Sequence, residues 1–332
     1  MTTMRTLRHA ALLLAAIVLV SAGGSRFVSA AERPTHLRLL GGPSGGQWHT
    51  ASERLATILT RNVAPTTSRI GGGKDNIPAV DKRLGDLAFT LTCFLGAAKS
   101  GEQEYQSMST ENVVLMANIY PQVLYFLMRK DIAQKHGITD VASLLQQRAP
   151  LRFASLKPGT ASEFILNMLL KYGYDTNFAK LRGQGWSLAF GNYAELSDNF
   201  VEGRLDCFAY TAGTEVPLIL AMEKHAEVVV LPVDHKVLDL LAKKFQTSTY
   251  TIMPGRYKSV TAPVSTLGDS TCLIVRKDLL NDWVYEISKS LWENKASLVE
   301  AVKDFQTLSP QTAVPPGFDI HPGAKKFWDS IK

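Results

Sequence analysis

The chain has 332 residues, of which 45% are hydrophobic and 20% charged, the composition of an ordinary globular protein with room for two domains. Its net charge of +6 includes Arg5, Arg8 and Arg26, so about +3 is left beyond the N-terminal segment, too little to indicate a basic nucleic-acid face. Three cysteines, Cys93, Cys207 and Cys272, allow one disulfide in an oxidising compartment, or three packed thiols, and their spacing makes no metal site.

At the N-terminus, Arg5 and Arg8 precede an apolar stretch over residues 10–20. The small residues Val28-Ser29-Ala30-Ala31 follow, and no acid comes before Glu32. This is the layout of a secretory signal peptide over residues 1–31, cut after Ala30 or Ala31. The apolar stretch is about half the roughly 20 residues that a membrane-spanning helix requires. With no cysteine near the cut, lipid attachment has no acceptor. A soluble periplasmic protein that is not a lipoprotein is expected.

Beyond it, short β-type runs alternate with amphipathic helical runs, which argues for a parallel α/β architecture. Strands are predicted over 36–40, 86–92, 124–128, 151–155, 206–210, 228–232 and 271–275. Helices are predicted over 50–61, 75–84, 162–172, 194–202 and 283–295. No fixed-period repeat is present. Two similar strand endings, Phe126-Leu127-Met128-Arg129-Lys130-Asp131 and Leu273-Ile274-Val275-Arg276-Lys277-Asp278, read either as two segments carrying the chain out of one lobe and back, or as coincidence.

Four junctions carry possible chemistry. After the first strand comes Gly41-Gly42-Pro43-Ser44-Gly45-Gly46-Gln47-Trp48, where glycines let backbone N–H groups approach an anion at a helix N-terminus. Trp48 reads as a pocket wall or as a core residue. The same stretch fits G-x-S-x-G, so a secreted hydrolase with Ser44 as nucleophile is weighed. Only one strand precedes the motif, and the adjacent Asp234 and His235 cannot both serve one serine. A second run, Gly71-Gly72-Gly73-Lys74-Asp75-Asn76, fails as a P-loop and leaves Asn76 as a ligand group or a helix cap.

The third junction, Ser155-Leu156-Lys157-Pro158-Gly159-Thr160-Ala161-Ser162-Glu163, has capping-box spacing between Thr160 and Glu163 and offers the Ser162 hydroxyl. The fourth, Tyr210-Thr211-Ala212-Gly213-Thr214-Glu215-Val216-Pro217, lies at a strand C-terminus, where α/β sheets bind ligands. Glu215 reads as a partner for an ammonium or, more simply, as a solvated acid. The scattered histidines show no metal-ligand spacing.

In this order, these segments resemble the TAXI family of solute-binding proteins, the extracytoplasmic receptors of TRAP transporters, over nearly all of the chain beyond the signal peptide. The resemblance rests on Gly42 to Trp48, on Gly73-Lys74-Asp75-Asn76, on Ile119-Tyr120-Pro121-Gln122 and on Gly203-Arg204-Leu205-Asp206-Cys207-Phe208. It continues in Ile252-Met253-Pro254-Gly255-Arg256-Tyr257, Trp283-Val284-Tyr285-Glu286-Ile287 and His321-Pro322-Gly323-Ala324.

The family implies a periplasmic-binding-protein fold of type II: two α/β lobes on a two-segment hinge, with ligand in the cleft between them. Lobe 1 is expected over 32–125 and 262–332, and lobe 2 over 126–261. First-lobe ligand contacts would come from Ser44, Gly45, Gly46, Trp48 and Asn76, and second-lobe contacts from Thr160, Ala161, Ser162, Tyr210 and Gly213. The implied ligand is a small carboxylate: an amino acid, keto acid or dicarboxylate. The implied partners are TRAP membrane subunits driven by an ion gradient. A monomer without catalytic activity, metal, nucleotide or redox cofactor is expected, and a sensory module for a signalling partner would share the same physics. The chain departs from the commoner pattern at Trp48, where Tyr is usual, at Gly73, where Ser often stands, and at Thr214-Glu215 in place of His-Pro.

Overall fold

The computed structural model describes residues 35–102 and 110–332; the signal peptide read over residues 1–31 lies outside them. Ten strands are present among the described residues: β1 (Leu37–Leu40), β2 (Thr66–Arg69), β3 (Leu87–Leu91), β4 (Val113–Arg129), β5 (Arg152–Leu156), β6 (Ser187–Gly191), β7 (Cys207–Ala212), β8 (Val228–Val230), β9 (Ser248–Ile252) and β10 (Val264–Arg276). They form one sheet in the order β2-β1-β3-β10-β4-β7-β5-β6, with β8 added to β4 and β9 to β10.

The parallel architecture expected from the alternation holds on the flanks and is corrected in the middle. β1 pairs in parallel with β2 and β3, and β5 with β6 and β7. Every ladder made by β4 and β10 is antiparallel. Helical crossovers impose parallel pairing within each flank, whereas β4 and β10 run against their neighbours as they cross between flanks.

These two strands are the crossing segments. β4 pairs with β10 from Val113 to Val123, then with β7 from Val123 to Met128. β10 pairs with β9 over Val264–Gly268 and with β3 over Thr271–Val275. The similar endings at Arg129 and Arg276 occupy equivalent places: Arg129 N donates to Asp206 O at 3.0 Å, and Arg276 N to Asp86 O at 3.1 Å.

The equivalence extends to the flanks. Arg38 of β1 donates its backbone N–H and its guanidinium to Asp86, just before β3, at 2.9–3.0 Å. Arg152 of β5 does the same to Asp206, just before β7. Burial raises the Asp86 carboxyl, but the Arg38 hydrogen bonds outweigh it and leave the group below its ordinary value.

Alternation along β4 sends Leu124, Phe126 and Met128 into the larger core, and Val123, Tyr125 and Leu127 into a second cluster with Phe200, Phe208 and Tyr257. Cys93, Cys207 and Cys272 are buried free thiols, which decides between the two readings of the cysteines. No helix among the described residues is long and apolar enough to cross a membrane.

Candidate functional site

The turn after β1 is shaped by backbone geometry. Gly45 has a φ of 81°, in the left-handed region that favours glycine, and Gly46 N donates to Pro43 O at 3.1 Å before the helix Gln47–Asn62 begins. Ser44 and Gly45 are exposed and Gly46 is half-buried. Asp234 and His235 stand at the start of a separate helix, His235–Phe245. Trp48 is buried: it stacks near Phe89 at 6.5 Å, and its indole N–H donates to Thr271 Oγ1 at 3.0 Å.

Asn76 ties the second turn to the first. Its amide donates to Gly41 O at 2.9 Å and to Phe89 O at 2.7 Å, while Oδ1 accepts from Gly72 N at 3.2 Å. Both donors are therefore taken by the backbone, and Asn76 holds the scaffold. A Cβ on Gly73 would lie 2.5 Å from the Phe94 ring and 3.3 Å from the Trp48 ring.

The third turn faces the second, since a Cβ on Gly72 would lie 3.7 Å from Gly159 O. Phe94 and Phe164 meet edge to face beside it at 4.3 Å. Thr160 caps the helix Ala161–Met168 through Glu163 N at 3.3 Å, and Glu163 Oε2 accepts from Gly159 N at 3.2 Å. Ala161 is half-buried at the helix start. Ser162 is buried, and its hydroxyl accepts from Thr211 N at 2.9 Å, joining this helix to the end of β7.

At the fourth turn, Tyr210 is fully buried with no hydrogen-bond partner for its hydroxyl. Tyr193 packs edge to face on it at 5.6 Å. Tyr193 is 36% exposed along its body, but its hydroxyl points inward and donates to Thr211 O at 3.1 Å, and burial there pushes the phenol up to about 12. Glu215 pairs with Arg256 and Lys303, which fits the plainer reading of a surface acid.

Three residues that were not read as site residues complete the circuit. Asp304, in the 3-10 turn Lys303–Thr307, accepts from Gln47 Nε2 at 3.0 Å and from Thr214 N and Oγ1 at 3.0 and 2.9 Å. Thr271 Oγ1 also accepts from Gln122 Nε2 at 3.0 Å. Gln122 lies in a stretch quoted above, but Asp304 sits in an unremarkable run, Val302-Lys303-Asp304-Phe305, and only the folded chain shows its place.

All four turns thus meet in one region between the two flanks of the sheet. The first touches the second through Asn76, the second faces the third at Gly159, the third reaches the fourth through Ser162, and Asp304 closes the ring. A separate groove of about 370 Å³ lies along the edge strand β2, lined by Glu53, Thr57, Thr60, Arg61 and Thr66. It uses one flank only and contains none of these turns. No cluster of metal-ligating side chains occurs among the described residues.

The strand order 2-1-3-10-4 on one flank and its counterpart 6-5-7-4-8 on the other, with two crossing strands between them, define an α/β periplasmic-binding-protein-like fold. The chain belongs to the NMT1-like family, which matches residues 39–330. Solved structures agree on the fold. MatC from Rhodopseudomonas palustris with bound malate is 14% identical, with a TM-score of 0.52 over 90% of this chain and 97% of that one. A TctC solute-binding protein from Polaromonas is 14% identical, with a TM-score of 0.50 over 90% and 95%. The periplasmic binding protein BugD is 12% identical, with a TM-score of 0.50 over 90% and 93%.

Proposed function

We propose that this chain is a periplasmic solute-binding protein of the TAXI kind, which captures a small carboxylate and delivers it to a TRAP-type, ion-gradient-driven transporter. The observation that carries the reading is the convergence of four strand–turn–helix junctions from both flanks on one region. Lobe 1 would comprise 32–125 and 262–332, and lobe 2 126–261. The partner switch of β4 at Val123 supports that division.

In this reading the ligand's acidic group lies against the N–H groups around Ser44, Gly45 and Gly46 at one helix start and around Thr160, Ala161 and Ser162 at another. Partial positive charge at helix N-termini favours it there. Trp48, Tyr210 and Gly213 form walls, and Asn76 holds the turns in register. Binding favours closure because only the closed state lets both lobes touch the solute. The role is non-catalytic and needs no cofactor.

A thermal-shift screen against amino acids, keto acids and dicarboxylates tests it. A true solute at a hundred- to thousandfold excess over Kd should stabilise the protein by roughly 3–4 kcal/mol. No shift with any member of the three classes would overturn the carboxylate reading. Co-purification of the solute-loaded protein with its transporter's membrane subunits tests the partner.

A further inference from the structure

We infer that Asp304 reads the solute, so that the crevice favours an acid that also carries an ammonium group over the same acid without one. This rests on the solute-binding reading above and narrows its ligand class.

Asp304 is 3% exposed, and no Lys, Arg or His among the described residues forms an ion pair with it. Its three hydrogen bonds come from neutral donors: the Gln47 amide on Oδ2, and the Thr214 backbone and hydroxyl on Oδ1. A carboxylate accepts about four hydrogen bonds, so Oδ2 keeps one direction open. Gln47 follows β1 and Thr214 follows β7, which puts the carboxylate where the two flanks meet.

The fourth turn packs directly against that carboxylate. A Cβ on Gly213 would fall 2.0 Å from Oδ2, so only glycine permits the approach. Tyr120, whose ring packs on Phe305 at 5.3 Å, is 1% exposed, yet its hydroxyl has no hydrogen-bond partner. A buried hydroxyl left unmade costs about 1–3 kcal/mol. A solute polar group entering beside Asp304 would satisfy it.

Electrostatics then set the choice. A desolvated carboxylate faced only by neutral dipoles attracts a cation and repels a second carboxylate, and the repulsion grows as water is excluded. A dicarboxylate in the crevice would bring its second charge against Asp304, whereas an amino acid could place its acid on the helix starts and its ammonium on Oδ2.

The test is calorimetric titration of the wild type, Asp304→Asn and Gln47→Leu with matched probes: L-glutamate against glutarate, and L-aspartate against succinate. The wild type should bind at least one amino acid 10-fold or more tighter than its deaminated partner. That ratio should fall towards one in Asp304→Asn and persist in Gln47→Leu, which removes a neutral donor and keeps the charge. A wild-type ratio at or below one overturns the inference whether or not the Asn variant folds, and so does a ratio unchanged in Asp304→Asn. Binding of the deaminated acids alone overturns it while sparing the solute-binding reading, whereas no binding by any probe or by the wider screen overturns both.

Discussion

Asn76 gives both amide hydrogens to buried carbonyls, so its removal leaves Gly41 O and Phe89 O without donors. Each unsatisfied buried group costs about 1–3 kcal/mol. Asn76→Ala should therefore destabilise the solute-free protein by roughly 2–4 kcal/mol in urea titration. A ligand-contacting residue without a scaffold role would leave that value unchanged and weaken only the solute's shift. Asp269 presents the opposite case of a carboxyl without a cation. It is buried on β10, accepts from the Thr92 hydroxyl and Cys93 N, and burial pushes it up to about 6. Because its folded value lies above its unfolded one, the folded state binds the proton more tightly. The contribution is full below about pH 4 and is lost as pH rises through about 6, on the order of 3 kcal/mol. Denaturation at a series of pH values should show that slope in the wild type and not in Asp269→Asn.

At the level of elements, the strands were more legible than the helices. Only five of the fourteen helices among the described residues were anticipated, because most run to nine residues or fewer and show too little apolar periodicity; β6 and β9 also went unpredicted. The seven predicted strands all exist, but 124–128 and 271–275 caught only the ends of β4 and β10. Pro121 in β4 and Gly268-Asp269 in β10 interrupt the β-type pattern where the strands cross between flanks, and there the pairing partner, not local propensity, keeps them extended. β2, Thr66-Thr67-Ser68-Arg69, was missed because an edge strand of polar residues has no hydrophobic signature. The equivalence of the two flanks was read only from their crossing strands' endings, although it leaves a further trace. Leu37-Arg38-Leu39 matches Leu151-Arg152-Phe153, and Asp86 before β3 matches Asp206 before β7. Each Asp accepts the backbone and guanidinium of the matching Arg, so the pair fixes strand register as well as charge. Asp86→Ala should cost about 3 kcal/mol, because Arg38 and Arg276 both lose charged hydrogen bonds while Arg276 keeps its pair with Asp278. The wild-type contribution should be present above about pH 4 and be lost as pH falls through the lowered folded value, since the unfolded chain takes up that proton first. Asp86→Asn should flatten the acid limb of the stability curve.

For the molecule as a whole, the positions of the candidate turns were legible and their roles were not. Glycines and caps announce a strand–turn–helix junction, but only tertiary structure shows whether a polar side chain faces a solute or, like Ser162 and Asn76, bonds its own backbone. Contacts between the flanks include the Phe94–Phe164 edge-to-face pair, the Gly72–Gly159 and Gly96–Phe245 approaches, the Asp304 bridge and the partly exposed Glu102–Lys244 pair. An aromatic pair of this kind contributes about 0.5–1.5 kcal/mol beyond area burial. If the pair forms only on closure, its loss shifts the open–closed equilibrium and reduces solute affinity by about 2–10-fold. Phe164→Leu keeps most of the buried volume and removes the ring contact. It should weaken solute binding by that factor and enlarge the radius of gyration of the solute-free protein in small-angle scattering, with the solute-bound radius unchanged. Equal scattering radii for the two solute-free proteins, together with equal affinity, would mean that the aromatic pair packs one lobe and does not join two.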